Sequence, residues 1–309
     1  MDPNSAEAVD IARAFETAAW EGDADTIRRL LLRHPDPDIR ARLAPQFPNS
    51  VFDSPLALAA KLGHAECVSL LLPHSDPLWG PSHGGFSALA QAAANGRLEC
   101  LNLLLPHSDP LAQDGEGFTA IAIAAQNSQT ECARALLPVS RGALDKGTRE
   151  GRTPLMLAVR AKALDIAKIL LPGSNPHARD AAGKDALMHA ANFNWGSLVE
   201  LLAPVSDLSA TNCVGHGALW FACNVESLEG LDALSPWLDE EQFKLAAKRF
   251  DAFAPGSPDG HAPRIRARLE AQAIAQAMAT PFGASAPMSP AEPDTRQSAQ
   301  RPLRSPRAL

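Results

Sequence analysis

The sequence predicts an all-α fold, an α-solenoid of about seven stacked helix-turn-helix units with short turn or hairpin-like tips. An apolar pair followed by proline recurs as Leu71-Leu72-Pro73, Leu104-Leu105-Pro106, Leu136-Leu137-Pro138 and Leu170-Leu171-Pro172, then more loosely at Leu202-Ala203-Pro204 and Leu234-Ser235-Pro236. Successive prolines of this set lie 33, 32, 34, 32 and 32 residues apart, the period of a repeat array. A second landmark keeps step, from Ser54-Pro55-Leu56 through Ser87-Ala88-Leu89, Thr119-Ala120-Ile121, Thr153-Pro154-Leu155 and Asp185-Ala186-Leu187 to Gly217-Ala218-Leu219. The composition agrees: 57 alanines, no tyrosine and only 5% aromatics in 309 residues leave small and aliphatic side chains to build the core.

In chain order, residues 1–50 are expected to hold N-terminal capping helices and a degenerate first unit. Glu7, Asp10, Arg13 and Glu16 surround Ile11 and Phe15, the polar outer face that a terminal unit needs. A proline-rich insertion follows, with Pro35, Pro37, Pro45 and Pro48. Residues 51–236 are the array proper. In each unit Ser54, Ser87, Thr119, Thr153 or Asp185 can accept from the first free N–H groups of a helix, and Pro55 and Pro154 then fill the first helical position, where a missing N–H costs nothing. Ala59, Ala92, Ala124, Ala158, Ala190 and Ala222 come three residues after the apolar landmark, on the same helix face, and let neighbouring helices approach closely. A second helix runs to the Leu-Leu pair, and the proline is expected to end it by excluding the helical conformation for the residue before it. Residues 237–279 read as C-terminal capping helices, opened by Asp239-Glu240-Glu241-Gln242 and continued by Ile265, Leu269 and Ala273. Residues 280–309, rich in Pro, Ser and Arg, bury little and are expected to be disordered.

Charge and motifs narrow the function. Lys and Arg number 28 against 35 Asp and Glu, a net charge of −7 that offers no global attraction to nucleic acid or anionic lipid. There is no apolar run of membrane-spanning length, no signal-peptide pattern, and an odd five cysteines, so a cytoplasmic, monomeric protein is expected. No phosphate loop, nucleophile elbow or zinc-protease helix occurs, and neither a catalytic residue nor a cofactor is expected. Cys67, Cys100 and Cys132 repeat at one register position and read as small core residues. Cys213, His216 and Cys223 lack a fourth partner for zinc, so no metal is expected.

Asp114-Gly115-Glu116-Gly117-Phe118-Thr119, Asp180-Ala181-Ala182-Gly183, Ala59-Ala60 with Gly63-His64, and the in-phase Gly85, Gly117, Gly151, Gly183 and Gly215 carry a resemblance. The unit resembles an ankyrin repeat over about residues 51 to 236. It departs from that pattern where Ser75, Ser108, Ser140, Ser174 and Ser206 follow the proline in place of a glycine cap. It departs again where Ala57, Ala90, Ala122, Met156, Met188 and Trp220 replace the Thr-Pro-Leu-His histidine, so the bonds that histidine makes must be missing or supplied otherwise.

The resemblance implies a non-catalytic module that binds another protein through turn tips and the exposed side of the first helices, a concave surface. On that surface it places Phe86 and Phe118 just after the turn glycine, together with Gln91, Asn95, Gln126, Asn127, Arg160, His189, Asn192, Phe193 and Phe221. The two phenylalanines are either binding anchors at wet tips or side chains folded back on a neighbour. Trp195 and Trp220 are expected to be half-buried packing residues. A neutraliser of an enzyme or toxin, and an effector exported into a host cell, are alternative outlets for the same binding surface. An enzyme would need a catalytic pair in the insertion or tail, and neither segment supplies one.

Overall fold

The computed structural model describes residues 6–36, 54–76, 87–224 and 228–238, with positions 267, 270, 271 and 274 in a further helix. Seven helix pairs follow one another: α1 (Ala6–Glu21) with α2 (Ala24–Arg33), α3 (Pro55–Leu62) with α4 (Ala65–Leu71), α5 (Ala88–Ala94) with α6 (Leu98–Leu104), α7 (Ala120–Gln126) with α8 (Thr130–Leu136), α9 (Pro154–Arg160) with α10 (Leu164–Leu170), α11 (Ala186–Asn192) with α12 (Gly196–Leu202), and α13 (Ala218–Asn224) with α14 (Leu228–Leu234). No strand occurs among the described residues. Each odd-numbered helix packs on the next odd one and each even helix on the next even one, giving an inner and an outer layer around one continuous core. Most of the proline-rich insertion, from 37 on, Phe86, the cap at 239–250, most of 264–279 and the tail from 280 lie outside the described residues.

The inner helices start where the caps predict. Backbone N–H groups of Ala57, Ala90, Ala122, Met156 and Met188 donate to the side-chain oxygens of Ser54, Ser87, Thr119, Thr153 and Asp185 at 2.8 to 3.4 Å. The six register alanines are all fully buried, which lets the inner layer close up. Outer helices contribute Cys67, Val68 and Leu71, then Cys100, Leu101 and Leu104, then Cys132, Ala133 and Leu136, to the same core. Burial pushes the thiols of Cys100 and Cys132 up to about 11, as suits packing residues.

The α-helical part of each outer helix ends at the proline as expected, but not by the expected means. Leu72, Leu105, Leu137, Leu171 and Ala203, each just before it, all hold helical backbone angles. At Leu105–His107, Leu171–Gly173 and Ala203–Val205 the chain tightens into a 3-10 turn containing the proline, and at 72–74 and 137–139 into a plain turn. Proline lacks only its own N–H, and the packed outer layer overrides a local preference that disfavours the helical conformation without forbidding it. The turn that follows is fixed by side chains: Asp109, Asn175 and Asp207 accept from the N–H two residues on.

The tips are hairpin-like turns joined to one another. Within a tip, Asp114 Oδ1 accepts from the N–H groups of Glu116 and Phe118, Asp180 Oδ1 from Ala182 and Lys184, and Asn212 Oδ1 from Val214 and His216. Between tips, Arg149 N–H donates to Glu116 O, Ala181 to Glu150 O and Cys213 to Ala182 O at 2.8 to 3.2 Å. Gln113 Nε2 reaches Gly117 O and, in the next unit, Gly147 O; Arg179 does the same for Gly183 O and Thr211 O. These bonds tie successive units together where the histidine of the family pattern is missing. Gly117 must be glycine on two counts: its φ is +83°, and a Cβ there would stand 3.1 Å from the backbone of Thr148 and Arg149.

Candidate binding surface

The caps and the linked tips fix where the inner-helix side chains stand. Phe118 is half-buried and packs against the core, so it folds back, and its N–H is held by Asp114. Asn95, Gln126 and Asn127 are exposed at the ends of α5 and α7. Asn95 and Asn127 each turn an amide back to their own helix, donating to Gln91 O and Ile123 O at 2.8 and 2.9 Å.

Three residues expected on the open surface are instead covered. Gln91 is 7% exposed, His189 2% and Phe221 4%. They share one register, in the middle of an inner helix, and at His189 and Phe221 tip residues cover that position. His189 Nε2 lies 2.9 Å from Asp180 Oδ2 in its own tip, and Phe221 lies beneath Lys184 of the preceding tip, whose Nζ is 4.4 Å from the ring centroid.

The His189–Asp180 pair is well provided on one side only. Both Asp180 oxygens are occupied, Oδ1 by two backbone N–H groups and Oδ2 by the imidazole. A carboxylate that only accepts places the imidazole proton on Nε2. Nδ1 is then a buried lone pair without a partner. Burial, partly opposed by Asp180, lowers His189 to about 4, so it is neutral in the folded chain near neutral pH.

Near the far end of α11 a second group is open to solvent. Asn192 is half-buried and Phe193, which caps the helix, is 36% exposed. The Phe193 ring stacks on Trp195 with centroids 5.0 Å apart, and the Arg160 guanidinium sits 5.4 Å above it. Burial and the nearby Arg152 charge lower the Arg160 pKa. At the tip of α13, His216 stacks on Trp220 at 3.6 Å, and Trp220 meets Phe221 edge-on at 5.1 Å. Trp195 and Trp220 are half-buried against the core.

Sequence reasoning passed over Arg152 and Lys184 as site residues, although both follow a turn glycine at the position of Phe118. It also passed over Trp20, 60% exposed at the end of α1. Trp20 follows Ala18-Ala19 as Gln126 follows Ala124-Ala125 and Asn192 follows Ala190-Ala191, so the register itself was the available signal.

Among the described residues no group of three or more His, Cys, Asp or Glu is placed to hold a metal ion, and no helix is long and apolar enough to cross a membrane. A search of curated proteins finds no match. Among solved structures 473 chains match. One of them, the crystal structure of the human ASB11 ankyrin repeat domain, superposes with a TM-score of 0.61 at 22% identity, over 72% of this chain and 97% of that one, a likeness in fold. The family model for ankyrin repeats in three copies matches residues 15–114 and 89–180, together more than half of the sequence. With capped inner helices, glycine-turned tips and paired outer helices recurring in the same order, the chain belongs to the ankyrin-repeat family.

Proposed function

We propose that the chain is a non-catalytic binding module that captures a partner protein on its tips and inner-helix ends. Ankyrin repeats are generally protein-protein interaction modules. The observation that carries the reading here is the ladder of backbone hydrogen bonds from tip to tip, Glu116 to Arg149, Glu150 to Ala181 and Ala182 to Cys213. It holds the tips in a fixed row before any partner arrives, so little ordering entropy is lost on binding. Asn95, Gln126, Asn127, Arg160, Asn192 and Phe193 stand beside that row as the contact residues, with the array at 51–236 doing the binding.

Affinity capture with the full chain, read by mass spectrometry, tests this. A partner retained by the wild type should be lost when Phe193→Ser and Asn127→Ala are combined, with thermal unfolding almost unchanged. Retention of every partner by that variant overturns the assignment of the surface.

A further inference from the structure

Arg160 and Lys184 bracket α11. Lys184 precedes its cap, Asp185, and Arg160 lies over Phe193 at its other end. Both act electrostatically on the buried His189 between them, and Arg152 acts on Arg160. Among the described residues neither the Arg160 guanidinium nor the Lys184 ammonium has a hydrogen bond or ion pair; each rests on an aromatic ring. The carboxylates close enough to act on Arg160 are Glu150 and Asp180. Glu150 is already paired with Arg152, and Asp180 is buried with both oxygens in use. Arg152 itself keeps a buried Nε without a partner. Two cations without carboxylate partners, a third partly satisfied and an exposed phenylalanine therefore share one helix-wide stretch of surface.

We propose that this stretch docks an acidic, extended segment of the partner protein, with carboxylates on Arg160 and Lys184 and an apolar side chain against Phe193. This rests on the binding-module reading and names the chemistry of its partner. Charge complementarity selects the class. The two cations flank a helix of seven residues, roughly 10 Å at 1.5 Å per residue. A polyproline-II-like segment rises about 3.1 Å per residue with three residues per turn, so acidic side chains three apart stand on one side and match that distance. A nucleic acid fits poorly: its even row of phosphates would run on past the two cations over a chain of net charge −7, whereas a short acidic segment can confine its charge to them.

The test is fluorescence anisotropy on the full chain with a labelled peptide of three glutamates spaced three residues apart in glycine and serine. The same peptide with glutamine, and an oligouridylate of similar length, serve as the other two probes. The glutamate peptide should bind at least about tenfold more tightly than the glutamine one, and more weakly as salt rises. Combining Arg160→Gln with Lys184→Gln should remove that difference, while Arg160→Lys, which keeps the charge, retains most of it. Equal binding of the two peptides, no measurable binding of either, an unaffected double variant, or tighter binding of the oligouridylate overturns the proposal. If it fails while partner capture still depends on Phe193 and Asn127, the acidic class is wrong and the binding surface stands.

Discussion

A serine follows the proline turn in each of units two to six, and its hydroxyl is used unequally. Ser174 Oγ donates to Leu170 O at 2.9 Å, whereas Ser108, Ser140 and Ser206 bury a hydroxyl without a partner. Ser140 is fully buried, and its backbone N–H is already bonded to Leu136 O. Ser140→Ala removes a desolvated group and no bond, so it should stabilise by about 1 kcal/mol, raising the melting temperature by roughly 2–4 °C. A lower melting temperature in calorimetry would mean the hydroxyl has a partner after all. The turn between inner and outer helices shows the opposite kind of strain. Gly22, Gly63 and Gly96 hold positive φ there, but Ser128, Lys162 and Asn194 hold the same left-handed conformation at φ of 57° to 60° with a side chain attached. Lys162→Gly relieves that cost and should add about 0.5–1 kcal/mol in denaturant titrations, even after the extra freedom glycine gives the unfolded chain.

At the scale of one element, α11 carries the pH dependence. His189 sits at about 4 in the folded protein against an ordinary 6.5, because burial disfavours its charged form. Below pH 6.5 the unfolded imidazole binds a proton that the folded one refuses, so stability is full above that value and falls as pH drops towards 4. The loss approaches roughly 3 kcal/mol at its limit. Asp185, raised by burial, contributes with the opposite sign nearer its own range, and Asp23 and Asp207, lowered by their hydrogen bonds, act below 3.8. Thermal melts between pH 6.5 and 4.5 follow the histidine, with Asp185 opposing it towards the acid end. The next unit has Asn212 and Phe221 at the places of Asp180 and His189. Transplanting that pair, as Asp180→Asn with His189→Phe, should flatten the slope in this window while leaving the tip intact; an unchanged slope would assign it to another group.

The whole molecule is quasi-one-dimensional: each helix pair packs chiefly on its neighbours, and one core runs through them all. Position along the array therefore sets what a core defect does. Leu104, fully buried in α6, has a unit on either side, and Leu104→Ala should destabilise the main transition by about 3 kcal/mol. Ile27 is equally buried but belongs to the first pair. Ile27→Ala should raise hydrogen exchange in α1 and α2 first and shift the main transition less. Equal shifts for the two variants would show that the array unfolds as a single block.

The sequence by itself determined the period, the number of helix pairs, the start of each inner helix and the identity of the outer-helix core residues. Each of these is a local event: a cap donates to the next turn, and apolar spacing repeats every turn of helix. The end of the outer helix was legible at the proline, but its means was not: Leu72, Leu105, Leu137, Leu171 and Ala203 keep helical angles that the residue before a proline disfavours without forbidding. Of the proposed surface, Asn95, Gln126, Asn127, Arg160, Asn192 and Phe193 stand at the end of an inner helix, where the register put them, and Arg152 and Lys184 could have been found from the turn glycine. Only the tertiary structure decided that Gln91, His189 and Phe221 are covered and that Phe118 turns inward. Burial at those positions depends on how a tip closes over its own helix and on what the neighbouring unit contributes, and a one-dimensional pattern records the face a residue occupies but not what lies across from it.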